Sequence, residues 1–212
     1  MQVENHTTST SRPRRTKREQ REESIDKLLL EARALFVSKG YRATTLEQIA
    51  VAAGLTKGSL YFHFGSKEAV LVKLLDKVEA EILFPAINIL KSAQGSVSEK
   101  LVQFMRLHGE MGITKREDLL LLISMSIEFA QQTGDAAAQL KKMYQALYKP
   151  LEALLRRGQM SGEVRKDAPA TELASIIVAT HDGAFLEWYR RGNQLDGRNL
   201  VRATLSVLLH GL

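Results

Sequence analysis

Apolar residues recur at helical spacing along almost the whole chain, and the alternation expected of strands is nearly absent. Ile25, Leu28, Leu29, Ala32, Leu35 and Phe36 share one face of a first helix beginning near Glu22. Glu22, Glu23 and Asp26 suit its positive N-terminal end, and Gly40 supplies the stop. Thr45 with Gln48 three residues on forms a capping-box pattern, opening a second helix whose inner face is Leu46, Ile49, Ala50 and Ala53. Gly54 permits a tight turn anchored by Leu55. Thr56 then caps a third, short helix with Leu60 and Phe64 pointing inward, and Gly65 ends it. Ser66 opens a fourth helix through Val70, Leu71, Leu74 and Val78, which Pro85 should kink or interrupt.

Beyond residue 80 aromatics are few, helical periodicity runs over long stretches and strand signal is almost absent. Further helices are expected near 96–113, 117–132, 135–161, 168–191 and 196–211, with Pro150 placed to bend the third of these. The predicted fold is all-α with nine helices. A three-helix head spans 22–68, a larger bundle spans 69–212, and a polar segment, 1–21, lacks apolar periodicity and is expected to order only on binding.

Composition narrows the class. The chain has 212 residues, 44% apolar and 25% charged, which suits one or two soluble domains with a real core. Cysteine is absent, so disulfides and thiolate metal sites are excluded. No apolar run is long enough to span a membrane and no apolar signal core opens the chain, which together predict a cytoplasmic protein without membrane association. Charge is concentrated: Arg12, Arg14, Arg15, Lys17, Arg18 and Arg21 stand against Glu19 alone, and the rest of the chain is nearly neutral. By itself such an arm is either a solubilising tail or an electrostatic footprint for an anionic partner.

The third helix favours the anionic partner. Thr56, Lys57, Gly58 and Ser59 stand at its start, Tyr61, Phe62 and His63 one turn later, and Lys67 just beyond. Such groups suit phosphates and base edges, on a helix short enough to enter a major groove. The segments Ala32-Arg33-Ala34-Leu35-Phe36, Gly40-Tyr41-Arg42-Ala43-Thr44-Thr45, Ala53-Gly54-Leu55 and Lys57-Gly58-Ser59-Leu60-Tyr61-Phe62-His63-Phe64 resemble the TetR family of bacterial transcriptional regulators. The resemblance covers about residues 25–72 and implies a helix-turn-helix head that binds double-stranded operator DNA. It implies contacts from Thr44, Thr45, Thr56, Lys57, Gly58, Ser59, Tyr61, Phe62, His63 and Lys67, with Tyr61, His63 and Lys67 clamping the phosphate backbone. Core packing is the competing role for Tyr61 and His63, and Phe62 could pack on the first helix or lie against a sugar.

The C-terminal bundle carries no catalytic arrangement. The histidines (His6, His63, His108, His181, His210) match no His-Glu-x-x-His pattern, and there is no Gly-x-Ser-x-Gly elbow or glycine-rich phosphate loop. No enzyme activity, cofactor or metal is expected; His181-Asp182 alone is too little for a metal site. Phe104, Met105, His108 and Met111, then Met125 and Phe129, Tyr144 and Tyr148, and His181, Phe185 and Trp188 put large side chains and few polar groups on four helices. They are either an ordinary core or the lining of an apolar pocket. The family resemblance implies an inducer site here, for a small apolar, planar aromatic or phenolic molecule. Leu173, Ile176, Ile177, Thr180, Ala184, Leu200, Leu205 and Leu208 give the last two helices a stripe suited to a homodimer, or to burial within one chain. The combined expectation is a ligand-responsive repressor, released from a palindromic operator by its inducer. The alternative is an architectural or division-associated DNA-binding protein acting without ligand.

Overall fold

The computed structural model describes residues 16–211, and every regular element among them is helical. α1 (Lys17–Lys39) starts earlier than the acidic cluster suggests, because Thr16 and Glu19 build a capping box. The Thr16 hydroxyl accepts from Glu19 N–H at 3.2 Å, and the Glu19 carboxylate accepts from Thr16 N–H at 2.7 Å. Arg18 and Arg21 are therefore helical, not part of a free arm, and Arg18 pairs with Glu22 at 2.9 Å. Arg12, Arg14 and Arg15 lie outside the described residues.

The head follows the expected pattern. α2 (Leu46–Ala53) opens on the Thr45–Gln48 box, and Gly54 takes the left-handed conformation (φ 66°) that turns the chain toward α3 (Lys57–Phe64). Leu28, Leu29, Ala32 and Phe36 of α1 enclose Leu46, Ile49 and Ala50 of α2 and Leu60 of α3. This short helix packs on α2 and α4 (Lys67–Val78).

α4 is interrupted just ahead of Pro85. Proline has no N–H to give the Glu81 carbonyl, and the turn before it, Glu79–Leu83, widens into a π-helical turn in which Phe84 N–H reaches Glu79 O. The helix continues as α5 (Phe84–Lys91), so α4 and α5 form one rod. Ten α-helical segments thus make up nine rods among the described residues. α6 (Val97–Thr114), α7 (Arg116–Glu128), α8 (Asp135–Ser161), α9 (Ala170–Arg190) and α10 (Gly197–Gly211) complete the bundle, with a 3₁₀ turn at Gly192–Gln194. α7 stops short of its expected end, and α8 runs unbroken through Pro150.

The stripe on the last two helices divides. Leu173, Ile177, Leu205 and Leu208 are buried within the chain, the second of the two roles open to them. Ile176 on α9 and Val207 on α10 remain 53% and 72% exposed, with Ala179, Gly183 and Ala203 also outward. One helical face cannot serve both purposes, and closing the bundle claims the larger leucines.

Candidate nucleic-acid interface and effector cavity

The surface of α3 is built by a cap, an anchor and an open face. The Thr56 hydroxyl accepts from Ser59 N–H at 3.2 Å, so it fixes the helix start. Leu60 is sealed in the head core, while Tyr61 and Phe62 are exposed, Phe62 by 80%. Lys57 reaches back to Glu47 of α2 at 2.5 Å and lies 5.6 Å above the Tyr61 ring. Its hydrogen bond holds the Glu47 carboxyl below the usual range. Both partners face solvent, so a phosphate or base edge can replace the carboxylate. A Cβ added to Gly58 would meet nothing within 4 Å. Glycine inside a helix costs about 0.5–1 kcal/mol relative to alanine, and no neighbour in this chain requires it here; a closely approaching partner would. Ser59 is half-buried, Thr45 is exposed at the start of α2, and His63 is half-buried with its Nδ1 sealed and unpartnered.

Two expected contacts are corrected. Thr44 is fully buried, its hydroxyl donating to Gly40 O at 2.8 Å, so the side chain stitches the turn between α1 and α2 and does not face outward. Lys67 is turned inward as well. Its Nζ donates to Tyr41 O and Thr44 O, both at 2.7 Å, and sits 4.3 Å from the Tyr41 ring centre. Desolvation lowers its pKa from the ordinary lysine value. A lysine already spent on backbone carbonyls is a brace for the turn, not a free phosphate clamp.

The head is tied to the bundle by side chains of both. Arg33 of α1 donates to Asp118 of α7 at 2.6 Å and lies 3.2 Å from Glu117. Tyr41 packs edge-on against Phe129, ring centres 5.0 Å apart. Glu68 accepts from Ala136 N–H at 3.1 Å, capping α8, whose own N-cap, Gly134, offers no side chain.

Inside the bundle, two narrow, partly open apolar pockets share His108 and His181 in their walls. The first lies between α6, α9 and α10, with Met105, Phe185 and Trp188 in its lining; the second takes Phe104 and Tyr144. Seven of the eleven expected pocket residues are thus brought together. Met111, Met125, Phe129 and Tyr148 line neither cavity: Met111 and Met125 fill the core, Phe129 meets Tyr41, and Tyr148 stands beside Tyr144. Sequence reasoning missed Gly109, Gly112 and Gly197, which leave room beside Val201, Phe185 and Trp188, and Ile82 and Leu83 of the π turn. Glycines one turn apart in a long helix were the available signal for the first two.

The two imidazoles stand 4.3 Å apart, centre to centre. His108 Nδ1 lies 2.9 Å from Phe104 O and His181 Nδ1 lies 2.9 Å from the Asp182 carboxylate. Burial, reinforced by His181, pulls the pKa of His108 down to about 3. Burial, with Asp182 nearby, pushes that of Tyr144 up. Among the described residues no group of three or more acidic, histidine or cysteine side chains could hold a metal ion.

An exposed capped helix on a compact head, tied to a bundle with internal apolar space, defines a DNA-binding regulator that answers to a ligand. Residues 28–74 match the model of bacterial regulatory proteins of the tetR family, and residues 117–212 that of the BetI-type transcriptional repressor C-terminal region. The MbdR regulator from Azoarcus sp. CIB is 42% identical, with a TM-score of 0.79 over 89% of this chain and 98% of that one. The transcriptional repressor KstR2 of Mycobacterium tuberculosis is 28% identical over 192 residues, 87% of this chain and 90% of its own length. AibR, solved with isovaleryl coenzyme A and operator DNA, shares the fold at 19% identity, with a TM-score of 0.76 over 88% of this chain and 98% of that one. The chain belongs to the TetR family, and it is a ligand-responsive, DNA-binding transcriptional repressor.

Proposed function

We propose that the chain works as a homodimer joined through the outward faces of α9 and α10, reading a palindromic operator with two copies of α3. A small aromatic or otherwise apolar inducer entering the cavities beside His108 and His181 releases it. The observation that carries this reading is α3 itself, which turns Lys57, Gly58, Tyr61 and Phe62 to solvent while Leu60 anchors it to the head core. A single short helix touches few base pairs, so useful specificity requires two-fold repetition at a spacing of about one DNA turn or a multiple of it. Ile176, Ala179, Gly183, Ala203 and Val207 supply small and aliphatic outer positions suited to close helix packing. Within this reading, residues 22–68 form the DNA-binding unit and 69–212 the ligand and dimer unit. Lys57, Ser59, Tyr61 and Phe62 are the contacts offered to DNA. No described helix is long and apolar enough to cross a membrane, and a cytoplasmic site of action fits an operator-binding protein.

The inducer acts by population shift: it weakens DNA binding only as far as it prefers the conformation with wrongly spaced heads. Footprinting on DNA flanking the protein's own gene tests the reading. It predicts a protected two-fold-symmetric site that an aromatic compound abolishes. Protection lacking two-fold symmetry, or no protection, overturns it.

A further inference from the structure

We propose that His108 is the specificity-determining group of the effector cavity, presenting Nε2 as a hydrogen-bond acceptor that selects an uncharged ligand carrying a hydroxyl or N–H donor and disfavours a carboxylate. This rests on the cavity reading above and specifies the ligand's polar group. A carbonyl oxygen can only accept, so the 2.9 Å contact with Phe104 O places the proton of His108 on Nδ1. Nε2 is then a bare lone pair. Among the described residues nothing hydrogen-bonds it. It is also absent from the sealed polar atoms that make no hydrogen bond, which are Arg33 Nε, His63 Nδ1 and Glu128 Oε1, the first and last of them in ion pairs. Nε2 therefore retains contact with the cavity space that His108 lines on both sides. His181 is set the same way round, its Nδ1 turned to the Asp182 carboxylate at 2.9 Å.

The remaining polar groups sharpen the selection. Neither lining contains a lysine or arginine, and the one acid among them is Asp182. Thr204 has its hydroxyl committed to Leu200 O at 2.9 Å. An anionic head would enter with no lysine or arginine to pair with, beside the Asp182 carboxylate and the His108 lone pair, and would lose its hydration; the donors left to it are His181, the Tyr144 hydroxyl and the Trp188 N–H. A phenol or alcohol meets an acceptor and an apolar wall. A carbonyl or ether, which can only accept, gains nothing from His108.

Calorimetric titration of the full-length protein without DNA tests this with four probes of one shape: naphthalene, a naphthol, its methyl ether and the corresponding naphthoate. The naphthol is expected to bind about tenfold more tightly than the ether, the equivalent of one hydrogen bond in a dry site, and the naphthoate not measurably. His108→Phe should bring the naphthol to the ether's affinity. His108→Gln, which restores an acceptor, should recover the preference and serves if the phenylalanine variant fails to fold. An ether that matches the naphthol in the unaltered protein, a naphthoate that binds best, or a preference that survives His108→Phe overturns the proposal. If naphthalene binds and the naphthol binds no better, the proposal fails while the cavity reading stands. If none of the four binds, the cavity reading fails and takes the proposal with it.

Discussion

Replacing Lys67 separates two mechanisms that the sequence leaves fused. If its ammonium braces the turn between α1 and α2, Lys67→Met removes two charge-assisted bonds of 2.7 Å to Tyr41 O and Thr44 O. Each contributes about 1.5–3 kcal/mol. Freeing the side chain returns about 2 kcal/mol of rotamer entropy, and water can replace part of the lost hydrogen bonding. The net loss is about 2 kcal/mol of head stability. Operator affinity should fall because the start of α2 is no longer held in place, not because a phosphate contact is gone. The assay is a pair of measurements: the urea midpoint of the free protein, and operator affinity by fluorescence anisotropy across a salt series. The expected result is a lowered midpoint with the slope of log affinity against log salt unchanged. A phosphate contact would instead lower that slope by about 0.9. A slope reduced by that amount at unchanged stability refutes the brace and restores the phosphate clamp.

Other predictions follow from the same contacts. Lys57→Ala frees Glu47 from its 2.5 Å partner and should shift base preference or lower the salt slope by about one, without lowering the thermal midpoint, in band-shift titrations. Arg33→Ala leaves the buried Asp118 carboxylate facing α1 unpaired and should cost about 2–3 kcal/mol in chemical denaturation; a loss below about 0.5 kcal/mol would show that the pair is incidental. Gly109→Ala would place a Cβ 2.5 Å from Val201, costing about 1–3 kcal/mol by overpacking, and Val201→Ala in the same chain should recover most of it. His108 gives a pH signature. Its folded pKa, about 3, lies below the ordinary 6.5, so in that window the unfolded chain binds more protons and stability falls as the pH is lowered. The loss between neutral pH and pH 5 should be about 2 kcal/mol, and it should vanish in His108→Phe.

The head was readable because local rules decide it. Thr45 and Gln48 specify a capping box, Gly54 a left-handed turn, and Leu60 the buried side of α3, and all three stand where the pattern puts them. Periodicity also gave the long helices, since their apolar faces are wide. It could not say what a side chain touches across the fold. Thr44 and Lys67 look like surface donors in one dimension and meet carbonyls of the same turn in three. The start of α1 was missed for a local reason, because the basic run hid the Thr16–Glu19 box. The cavity was half-legible. Large side chains announce themselves, whereas glycines and a π turn contribute space, which leaves little trace in a hydrophobic pattern.

Two rods join the proposed ligand site to the head. Ile82 and Leu83, in the π turn, face the second cavity, and the same rod begins at Lys67 and Glu68, which hold the head turn and the start of α8. Leu119, Leu122 and Ile123 of α7 line that cavity too, and Asp118, one residue before Leu119, holds Arg33 of α1. Space filled between Leu83 and Leu119 therefore bears on both anchors of the head. Coupling by such rods needs two settings of each element, with the ligand favouring one. Glu68→Gln tests this directly, since it keeps the shape at Ala136 N–H and removes the charge facing the N-terminal end of α8. It should cost the free protein only about 0.5–1 kcal/mol, but alter how far a bound inducer lowers operator affinity. Equal loss of affinity with and without inducer would mean that the contact stabilises the fold and transmits nothing.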